Sequence, residues 1–323
     1  MDMNTNKLTK WSLLALSLAA AGNIQAQERV VPLRYGDMNQ WITRQIEESG
    51  IIGGHTKLLY EIGPTRSVEG NLPYSNEGGS PWGTSNVMAK VMGVVKTNTT
   101  VFPDKRDEGF CVRMETHIES VKVLGLLNIS VLAAGSIYLG DMQEPITGTK
   151  NAEQNMNWGI PFQERPKALR YDYRVKLSGE NDRIRLTGFS RKSKVEGKDC
   201  AITICLLQQR YEDVDGQITA KRVGTLVIRY DSSTSGWMNG CTYDILYGDI
   251  TNHPDYDAET MGLRHVDYAR NSKGENVLVK EIGWAESTAV PTHLMLQFSS
   301  SHGGAFVGSP GNTFWIDNVQ LVY

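Results

Sequence analysis

The sequence predicts an all-β protein, a β-sandwich with one short N-terminal helix and elaborate loops. Three observations predict this fold class. Short segments rich in β-branched and aromatic residues recur from residue 87 to the end of the chain. Clusters of Gly, Asn, Asp and Pro separate these segments, as turns do in β-sandwiches. Only one segment has the apolar spacing of an amphipathic helix.

Eight segments fit strands, because they are short and either β-branched or aromatic. They are Val87–Val95, Phe110–Ile118, Leu127–Ile137, Ala168–Leu177, Cys200–Arg210, Thr225–Tyr230, His293–Phe298 and Thr313–Tyr323. The intervals between them exceed those of a minimal sandwich, so we expect long loops. The acidic stretch 249–257 is interpreted as one such surface loop.

The N-terminus has the features of a secretory signal peptide. Lys7 and Lys10 precede an apolar run at residues 11–21, and Ala26 precedes the expected cleavage point. A basic segment, a short apolar core and a small residue before the cut define such a signal. The apolar run is too short to span a bilayer. We therefore expect a secreted, periplasmic or cell-surface protein, with an uncleaved anchor as the alternative.

The single predicted helix lies shortly after this signal. Asp37 can cap it, an apolar stripe runs from Met38 to Ile46, and Gly50 ends it. Glycine and proline crowd residues 63–83, which predicts a long loop or linker. We therefore divide the chain into a signal peptide (1–26), a helical and extended segment that packs on the sandwich (27–80), and the sandwich itself (81–323).

The charge balance bears on the possible partners. The chain has 33 basic and 36 acidic residues, a formal net charge of −3. It therefore lacks the basic footprint of a nucleic-acid-binding domain. No apolar run after the signal is long enough to span a membrane. We expect neither a nucleic-acid partner nor a membrane-spanning segment.

Four cysteines, Cys111, Cys200, Cys205 and Cys241, follow the signal. Cys200 and Cys205 share one predicted strand, where a rise of about 3.4 Å per residue puts them roughly 17 Å apart. That is too far for a disulfide, and no cysteine or histidine spacing fits zinc. Buried free thiols are the favoured interpretation, and a bridge between Cys111 and Cys241 remains the alternative.

Period-two alternation divides the strands into an apolar and a polar face. If three of the predicted strands share a sheet, its outer face carries Arg113, Glu115, His117, Asp172, Arg174, His293 and Gln297. Arginine forks and carboxylates can each hold two adjacent sugar hydroxyls. Trp158, in a predicted loop, and Trp82 would supply aromatic platforms. The pattern predicts a sugar-binding surface, and the alternative is a solvated face with cross-strand ion pairs.

A glycoside hydrolase needs two carboxyl groups, about 5 Å apart for retention or about 6.5–9.5 Å for inversion. No closely spaced pair lies on one predicted strand, so Glu115 and Asp172 are the candidates, provided that their strands are close. Arg113 and Arg174 beside them would keep both carboxylates ionised, which suits a nucleophile better than an acid. A binding function is therefore favoured over hydrolysis.

Asp317 is the one weak candidate for a metal ligand. It shares the period-two parity of Trp315 and Val319, so we expect it to point inward. A buried carboxylate must be paired, hydrogen-bonded or bound to a metal. A hydrogen-bonded Asp317 without metal is favoured, and a structural calcium ion is the alternative. No cofactor is expected beyond this.

Three motifs carry a resemblance to a known family. Residues 157–167 (NWGIPFQERPK) lead into 168–173 (ALRYDY), the chain ends FSSSHGGAFVGSPGNTFWIDNVQLVY, and WGTSN at 82–86 is a weaker match. Together they resemble the putative carbohydrate metabolism domain, a family of secreted bacterial proteins linked with glycan utilisation. The closing strands also resemble the edge of jelly-roll sandwiches in carbohydrate-active proteins. The resemblance implies a jelly-roll domain with a carbohydrate cleft, and it provides no catalytic residues to transfer.

The sequence thus predicts a secreted glycan-binding module of a polysaccharide-utilisation system. Its partner would be a polysaccharide or oligosaccharide held on the polar face of the sandwich. Two alternatives remain open. One is a glycoside hydrolase with a carboxylate pair in the same cleft. The other is a surface adhesin or structural protein that binds protein partners at the cell surface.

Overall fold

The computed structural model describes residues 28–74, 79–123, 127–148, 152–179, 182–188 and 191–323. The predicted signal peptide, residues 1–26, lies outside these described residues. Strands dominate the described part of the chain, which confirms the all-β fold class. No helix in these ranges is long and apolar enough to cross a membrane.

The strands are labelled in chain order. The first thirteen are β1 (Val30–Pro32), β2 (Trp41–Glu47), β3 (Thr56–Ile62), β4 (Arg66–Glu69), β5 (Trp82–Thr84), β6 (Val87–Val91), β7 (Val94–Asn98), β8 (Val101–Arg106), β9 (Gly109–Val123), β10 (Leu127–Ala134), β11 (Ser136–Met142), β12 (Met156–Trp158) and β13 (Ile160–Pro161). The remaining ones are β14 (Ala168–Lys176), β15 (Ile184–Arg185), β16 (Thr187–Gly188), β17 (Ser193–Lys194), β18 (Ala201–Glu212), β19 (Ile218–Tyr230), β20 (Met238–Asp244), β21 (Leu246–Tyr247), β22 (Asp267–Arg270), β23 (Asn276–Trp284), β24 (His293–Ser299), β25 (Val307–Gly308) and β26 (Thr313–Val322). The helical elements include 3₁₀ turns at Gly50–Ile52 and Ala152–Asn155 and the short α-helix α1 (Ala258–Met261).

Two large sheets form the sandwich. The first has the strand order β16-β10-β9-β26-β14-β20, with β1 joined to β26 and β8 joined to β9. The second has the order β12-β11-β24-β18-β19-β23-β22, with β5, β13 and β21 joined to its strands. All pairs in the first sheet are antiparallel, whereas β19 and β23 in the second are parallel. This architecture confirms the predicted β-sandwich.

The core lies between the facing sheets. Val112, Met114 and Phe314 enter it from the first sheet, and Leu296 and Phe298 enter it from the second. All five side chains are fully buried. Burying one such side chain contributes roughly 1.5–3 kcal/mol, so these facing rows hold the two sheets together.

The strand predicted over Leu127–Ile137 is in fact two strands that belong to different sheets. β10 pairs with β9 in the first sheet, and β11 pairs with β24 in the second. Gly135 lies between them, where a Cβ atom would stand 2.5 Å from the carbonyl oxygen of Thr100 and 2.6 Å from the amide nitrogen of Glu115. Only glycine permits backbones to approach this closely, so Gly135 is where the chain crosses between sheets.

The helix predicted after Asp37 is wrong. The segment forms strand β2, which pairs with β3 on one side and β4 on the other. Trp41 and Ile42 point to opposite faces of β2 and are both buried. Because both faces are covered, the apolar residues do not alternate and imitate a helical spacing. Met38 has a φ of 51°, a left-handed conformation that does not begin an α-helix.

Two further sequence predictions need correction. The strand predicted over Val87–Val95 is the hairpin of β6 and β7. Met92 and Gly93 at its turn have φ values of 50° and 80°, as the two central residues of a type I′ turn require. The segment 63–83 is not wholly loop, since it contains β4 and the first residues of β5.

The four cysteines are free thiols. Three of them are buried, and Cys241 is partly exposed. Cys111 lies on β9 and Cys241 on β20, with β26 and β14 between them in the first sheet. Three strand spacings of about 4.8 Å separate the two residues, which rules out the alternative bridge. The interpretation as buried free thiols is therefore confirmed for Cys111, Cys200 and Cys205.

Candidate functional site

The predicted polar face is divided between the two sheets. The outer face of the first sheet carries Arg113, Glu115, His117, Asp172 and Arg174. The outer face of the second sheet, on the opposite side of the sandwich, carries His293 and Gln297. The prediction of one shared face is wrong, because alternation assigns a side chain to a face of its own strand and says nothing about which sheet the strand joins.

Ion pairs neutralise the carboxylates on the outer face of the first sheet. Glu115 forms a close ion pair with Arg113. Asp172 accepts a hydrogen bond from Arg106 at 2.8 Å, and the same guanidinium donates to Asp317 at 2.7 Å. Glu115 is therefore engaged by an arginine of its own strand, and Asp172 and Asp317 are engaged by Arg106 of β8.

Arginines also pack on the aromatic rings of this face. The guanidinium carbon of Arg174 lies 4.8 Å from the ring centroid of Trp315, and that of Arg113 lies 4.5 Å from the ring of Phe102. The indole N–H of Trp315 donates to Asp104 at 2.8 Å. The rings are thus already occupied by intramolecular cation–π contacts.

The predicted catalytic pair does not come together. Glu115 lies opposite Thr313 of β26, and Asp172 lies opposite Asp317 of the same strand. Two strand spacings across the sheet and four residues along β26 separate the two carboxylates. At about 4.8 Å per strand and about 3.3 Å per residue, their Cα atoms are roughly 16 Å apart. Neither glycosidase mechanism operates at that separation.

Asp317 does not point into the core. Ile316 and Val319 are both buried in the core, although an uninterrupted strand would place them on opposite faces. Asn318, with a φ of 52°, resets the alternation and leaves Asp317 on the outer face. Partial burial raises the pKa of Asp317 to about 6, against the opposing effects of the Asn318 amide and Arg106. Among the described residues, no group of three or more His, Cys, Asp or Glu side chains is arranged to hold a metal ion.

His117 is paired locally as well. Its Nε2 atom lies 3.5 Å from a carboxylate oxygen of Glu119, and Lys96 contacts the same carboxylate at 2.8 Å. His117 therefore belongs to the same pattern of side chains paired across the surface.

The second sheet is curled, and its outer face is concave. Its two end strands, β12 and β22, meet where the backbone N–H of Arg270 donates to the side chain of Asn157 at 2.9 Å. Arg270 also forms an ion pair of 2.6 Å with Asp141 of β11. The curl encloses a cleft of about 480 Å³. Its floor includes Gln297 of β24 and Ile202 and Ile204 of β18.

One wall of this cleft is aliphatic. It consists of strand β6, the end of β10 and the segment that begins at the end of β11. Its half-buried members are Val87, Ala89, Val131, Met142 and Ile146. β6 is held against this segment by a bridge between Ala89 and Ile146.

The opposite wall is polar and follows α1 and the start of β22. Asp257 caps α1 by accepting a hydrogen bond from the Glu259 amide at 3.0 Å, which offsets the unpaired donors of a helix start. Arg264 donates to both carboxylate oxygens of Asp267 at 2.8 Å. Tyr268 follows on the same wall. Fork-to-carboxylate pairing of this kind fixes the plane of the guanidinium at the cleft.

Trp158 lines the cleft but is not the exposed platform that the sequence suggests. It lies in β12 rather than in a loop, is 3% exposed, and has Arg264 5.5 Å from its ring centroid. Arg210 donates to its carbonyl oxygen at 2.7 Å. Trp82 is also buried, with its indole N–H bonded to the Arg34 carbonyl at 2.9 Å. Both rings serve packing, which a Gly- and Asn-rich context does not reveal.

His293 lies outside the cleft, near the buried Arg210. Burial, and then the charge of Arg210, lower the pKa of His293 to about 4. Its Nδ1 atom lies 2.9 Å from the Thr292 hydroxyl. His293 is therefore a neutral structural group at physiological pH.

The Ser/Gly-rich segment 299–311 supplies another part of the cleft lining, through residues such as Ser301 and Phe306. Asp199, at the start of β18, anchors this segment. It accepts hydrogen bonds from the Ser301 hydroxyl at 2.9 Å and from the Ser309 amide at 2.8 Å. The cleft lining thus depends on one buried carboxylate.

Of the predicted site residues, the structure brings Gln297 and Trp158 to the cleft and leaves the others elsewhere. Sequence reasoning missed Arg264, Asp267 and Tyr268, which follow the acidic loop in the segment LRHVDY. A signal was present, since an arginine, a carboxylate and an aromatic side chain cluster at the start of a strand. In the sequence, these residues resemble the composition of an ordinary loop. Only the curl of the sheet brings them close to β24.

Solved structures resemble the chain only at a distance. A putative glycoside hydrolase from Bacteroides thetaiotaomicron is 18% identical, with 84% of this chain and 76% of that chain covered and a TM-score of 0.45. One from Bacteroides vulgatus is 14% identical, with 82% and 91% covered and a TM-score of 0.40. A carbohydrate-binding module specific for non-crystalline cellulose is 12% identical, with 76% and 91% covered and a TM-score of 0.27. Likenesses with TM-scores this low carry no conclusion about function.

A comparison with curated proteins returns no significant match. The family model described as "Putative carbohydrate metabolism domain" matches residues 65–238, more than half of the chain. The match covers strands of both large sheets and much of the cleft floor and aliphatic wall. The protein therefore belongs to the putative carbohydrate metabolism domain family, as its motifs suggested.

Proposed function

We propose that this protein is a secreted glycan-binding module of a polysaccharide-utilisation system and that it holds a saccharide in the cleft of the second sheet. The observation that carries the proposal is the amphipathic lining of that cleft. Sugars present hydroxyl edges and apolar C–H faces. Gln297, Tyr268 and the Arg264–Asp267 fork offer hydrogen-bonding groups to the first, and the aliphatic wall covers the second.

The family supports a carbohydrate-related role. No cofactor is needed for binding as proposed. A hydrogen-bonded Asp317 without metal stays the prediction, and a change in melting temperature on chelation would support the alternative of a structural calcium ion. Secretion after cleavage near Ala26 is part of the proposal and is tested by sequencing the N-terminus of the mature protein.

Native affinity electrophoresis of residues 27–323 through gels that contain different polysaccharides tests the binding function. We expect retardation in at least one gel, and Gln297→Ala should weaken it by about 2- to 12-fold, the equivalent of one neutral hydrogen bond. Arg174→Ala, on the opposite outer face, is the matched control and should migrate like the wild type. A loss of retardation in Arg174→Ala alone would move the site to the first sheet.

Hydrolysis is the second candidate function. The cleft offers a different pair of carboxyl groups for it than Glu115 and Asp172, the pair predicted from sequence. Glu153 of a 3₁₀ turn and Glu259 of α1 line the cleft from two different elements. Clearing of the embedded polysaccharide, abolished by Glu153→Gln or Glu259→Gln, would identify an enzyme. Unretarded migration in every gel would overturn glycan binding and favour a protein partner.

A further inference from the structure

The aliphatic wall of the cleft is larger than stacking on a sugar ring requires. Val87, Ala89, Val131, Met142 and Ile146 are all half-buried, so part of their hydrocarbon surface faces the cleft. Exposed aliphatic surface that clusters in a concave site marks a binding surface for another apolar group. A sugar ring alone would place hydroxyl groups against part of this hydrocarbon surface, where they find no hydrogen-bonding partner.

The indole ring at the cleft is also covered. Trp158 is 3% exposed and lies beneath Arg264. The floor beside it is aliphatic, with Ile202 and Ile204 side by side on the outward parity of β18. Apart from the half-buried rings of Tyr268 and Phe306, the apolar surface of this cleft is aliphatic, and aliphatic side chains suit hydrocarbon without requiring a planar ring.

Two methionines extend this surface. Met142 and Met156 are paired across β11 and β12, and both line the cleft. Methionine is unbranched and adapts to irregular apolar shapes. A flexible chain, which has no single shape of its own, is the ligand part that such residues accommodate best.

One set of polar groups lines the cleft from α1 and β22, where Val266 also faces it. Glu259, Thr260 and Tyr268 lie on α1 and β22, across the floor from β6. A ligand that fills the cleft therefore has a hydrogen-bonding part on one side and a hydrocarbon part on the other. Its volume of about 480 Å³ is within the range, about 300–1,000 Å³, of pockets for small molecules.

We propose that the ligand is a saccharide that carries an aliphatic substituent, such as an acyl chain, with its sugar on the polar wall and its chain on the aliphatic wall. This inference rests on the proposed glycan-binding function and names the ligand class of the same cleft. No bond is made or broken in this binding step.

The test is a titration of the protein with methyl, butyl, hexyl and octyl β-D-glucosides and the matching β-D-galactosides, each below its micelle concentration. Isothermal titration calorimetry measures the affinity. We expect the affinity to rise about fourfold per added methylene until the wall is filled, the equivalent of about 0.8 kcal/mol for each. Octanoate, which has the chain without the sugar, should bind at least tenfold more weakly than the best octyl glycoside.

A matched pair of variants tests whether the aliphatic substituent of the ligand binds at the aliphatic wall. Val87→Asp puts a charge on the aliphatic wall and should remove the dependence on chain length. Val214→Asp makes the same change at the tip of the hairpin between β18 and β19, where Val214 is 93% exposed, and should leave the series unchanged. Far-ultraviolet circular dichroism confirms folding, and if Val87→Asp does not fold, the wild-type series alone decides.

The outcomes separate the two proposals. Equal affinity across the chain lengths, with polysaccharide still retarded in gels, would overturn the aliphatic substituent and leave glycan binding intact. Octanoate binding as tightly as the octyl glycosides would overturn both, because the sugar would then contribute nothing. Failure of every octyl glycoside to bind would also overturn the inference.

Discussion

Replacing Asp199 by Asn should weaken the fold in a way that depends on pH. The carboxylate is 2% exposed and accepts hydrogen bonds from Ser301, Ser309 and Asn312 in the segment that lines part of the cleft. It also forms an ion pair of 2.9 Å with Nδ1 of His302. Asparagine keeps the size of the side chain, removes its charge and replaces one accepting oxygen by a donor, so only the part of the destabilisation that changes with pH reports the charge.

The magnitude follows from the pKa of His302. The hydrogen bond with Asp199, and then that with Cys200, raises this pKa from an ordinary 6.5 to about 9, while burial lowers it. Arg229 also faces His302, with its Nη2 atom 3.1 Å from Nε2. A group whose pKa is raised on folding stabilises the fold fully below pH 6.5 and loses that effect as the pH rises to 9. This rise corresponds to roughly 3 kcal/mol.

Urea unfolding at pH 6, 7, 8, 9 and 9.5 provides the measurement. We expect Asp199→Asn to be less stable than the wild type by up to about 3 kcal/mol at pH 6, since Cys200 still raises the pKa of His302, and to differ from it progressively less as the pH approaches 9.5. Asp215→Asn, an exposed loop carboxylate changed in the same way, should follow the wild-type profile. A constant difference between Asp199→Asn and wild type across this range would refute the reasoning, because His302 would then not be held in its charged form by Asp199.

Four further outcomes are expected. Burial raises the pKa of Glu61 to about 8 against the opposing charge of Arg44. The free energy of unfolding should therefore fall as the pH rises from 4.5 to 8, and Glu61→Gln should flatten this part of the stability–pH profile. Gly135→Ala should cost about 3 kcal/mol or prevent folding, measured by thermal denaturation, because its Cβ would meet backbone atoms at 2.5–2.6 Å. Trp158→Ala should lower the free energy of unfolding by about 3–5 kcal/mol, as expected for a core ring. Without reductant, a thiol reagent should label mainly Cys241 in the native protein and all four cysteines in denaturant, whereas only two labels in denaturant would indicate a disulfide.

The division of the polar side chains shows how much of the site could be predicted. Alternation correctly places Val112 and Met114 in the core and Arg113 and Glu115 outside it. The same rule gave no means of knowing that β24 joins the other sheet. Gln297 was therefore recognised as an outward polar residue but grouped with the wrong partners.

Two local departures from the rules explain the remaining errors. Strand β2 is covered on both faces, so its apolar residues lose the period of two and imitate a helix. Asn318 inserts a left-handed residue into β26, which reverses the parity for the residues after it, so Val319 points into the core while Asp317 stays on the outer face. Neither departure is visible in composition or spacing alone.

The sequence by itself determined the all-β class, most of the core rows and the family, because residue type and period report how a segment is buried and local motifs persist in a family. Only the tertiary structure decided where the site is. Sheet membership depends on pairing between strands far apart in the chain, as when Gly135 transfers the chain from one sheet to the other. The curl that joins β12 to β22 then brings residues 85–89, 259–268 and 297 around one cleft. The shape of this curl is set by hydrogen bonds between strands that are distant in the sequence, which no local preference reveals.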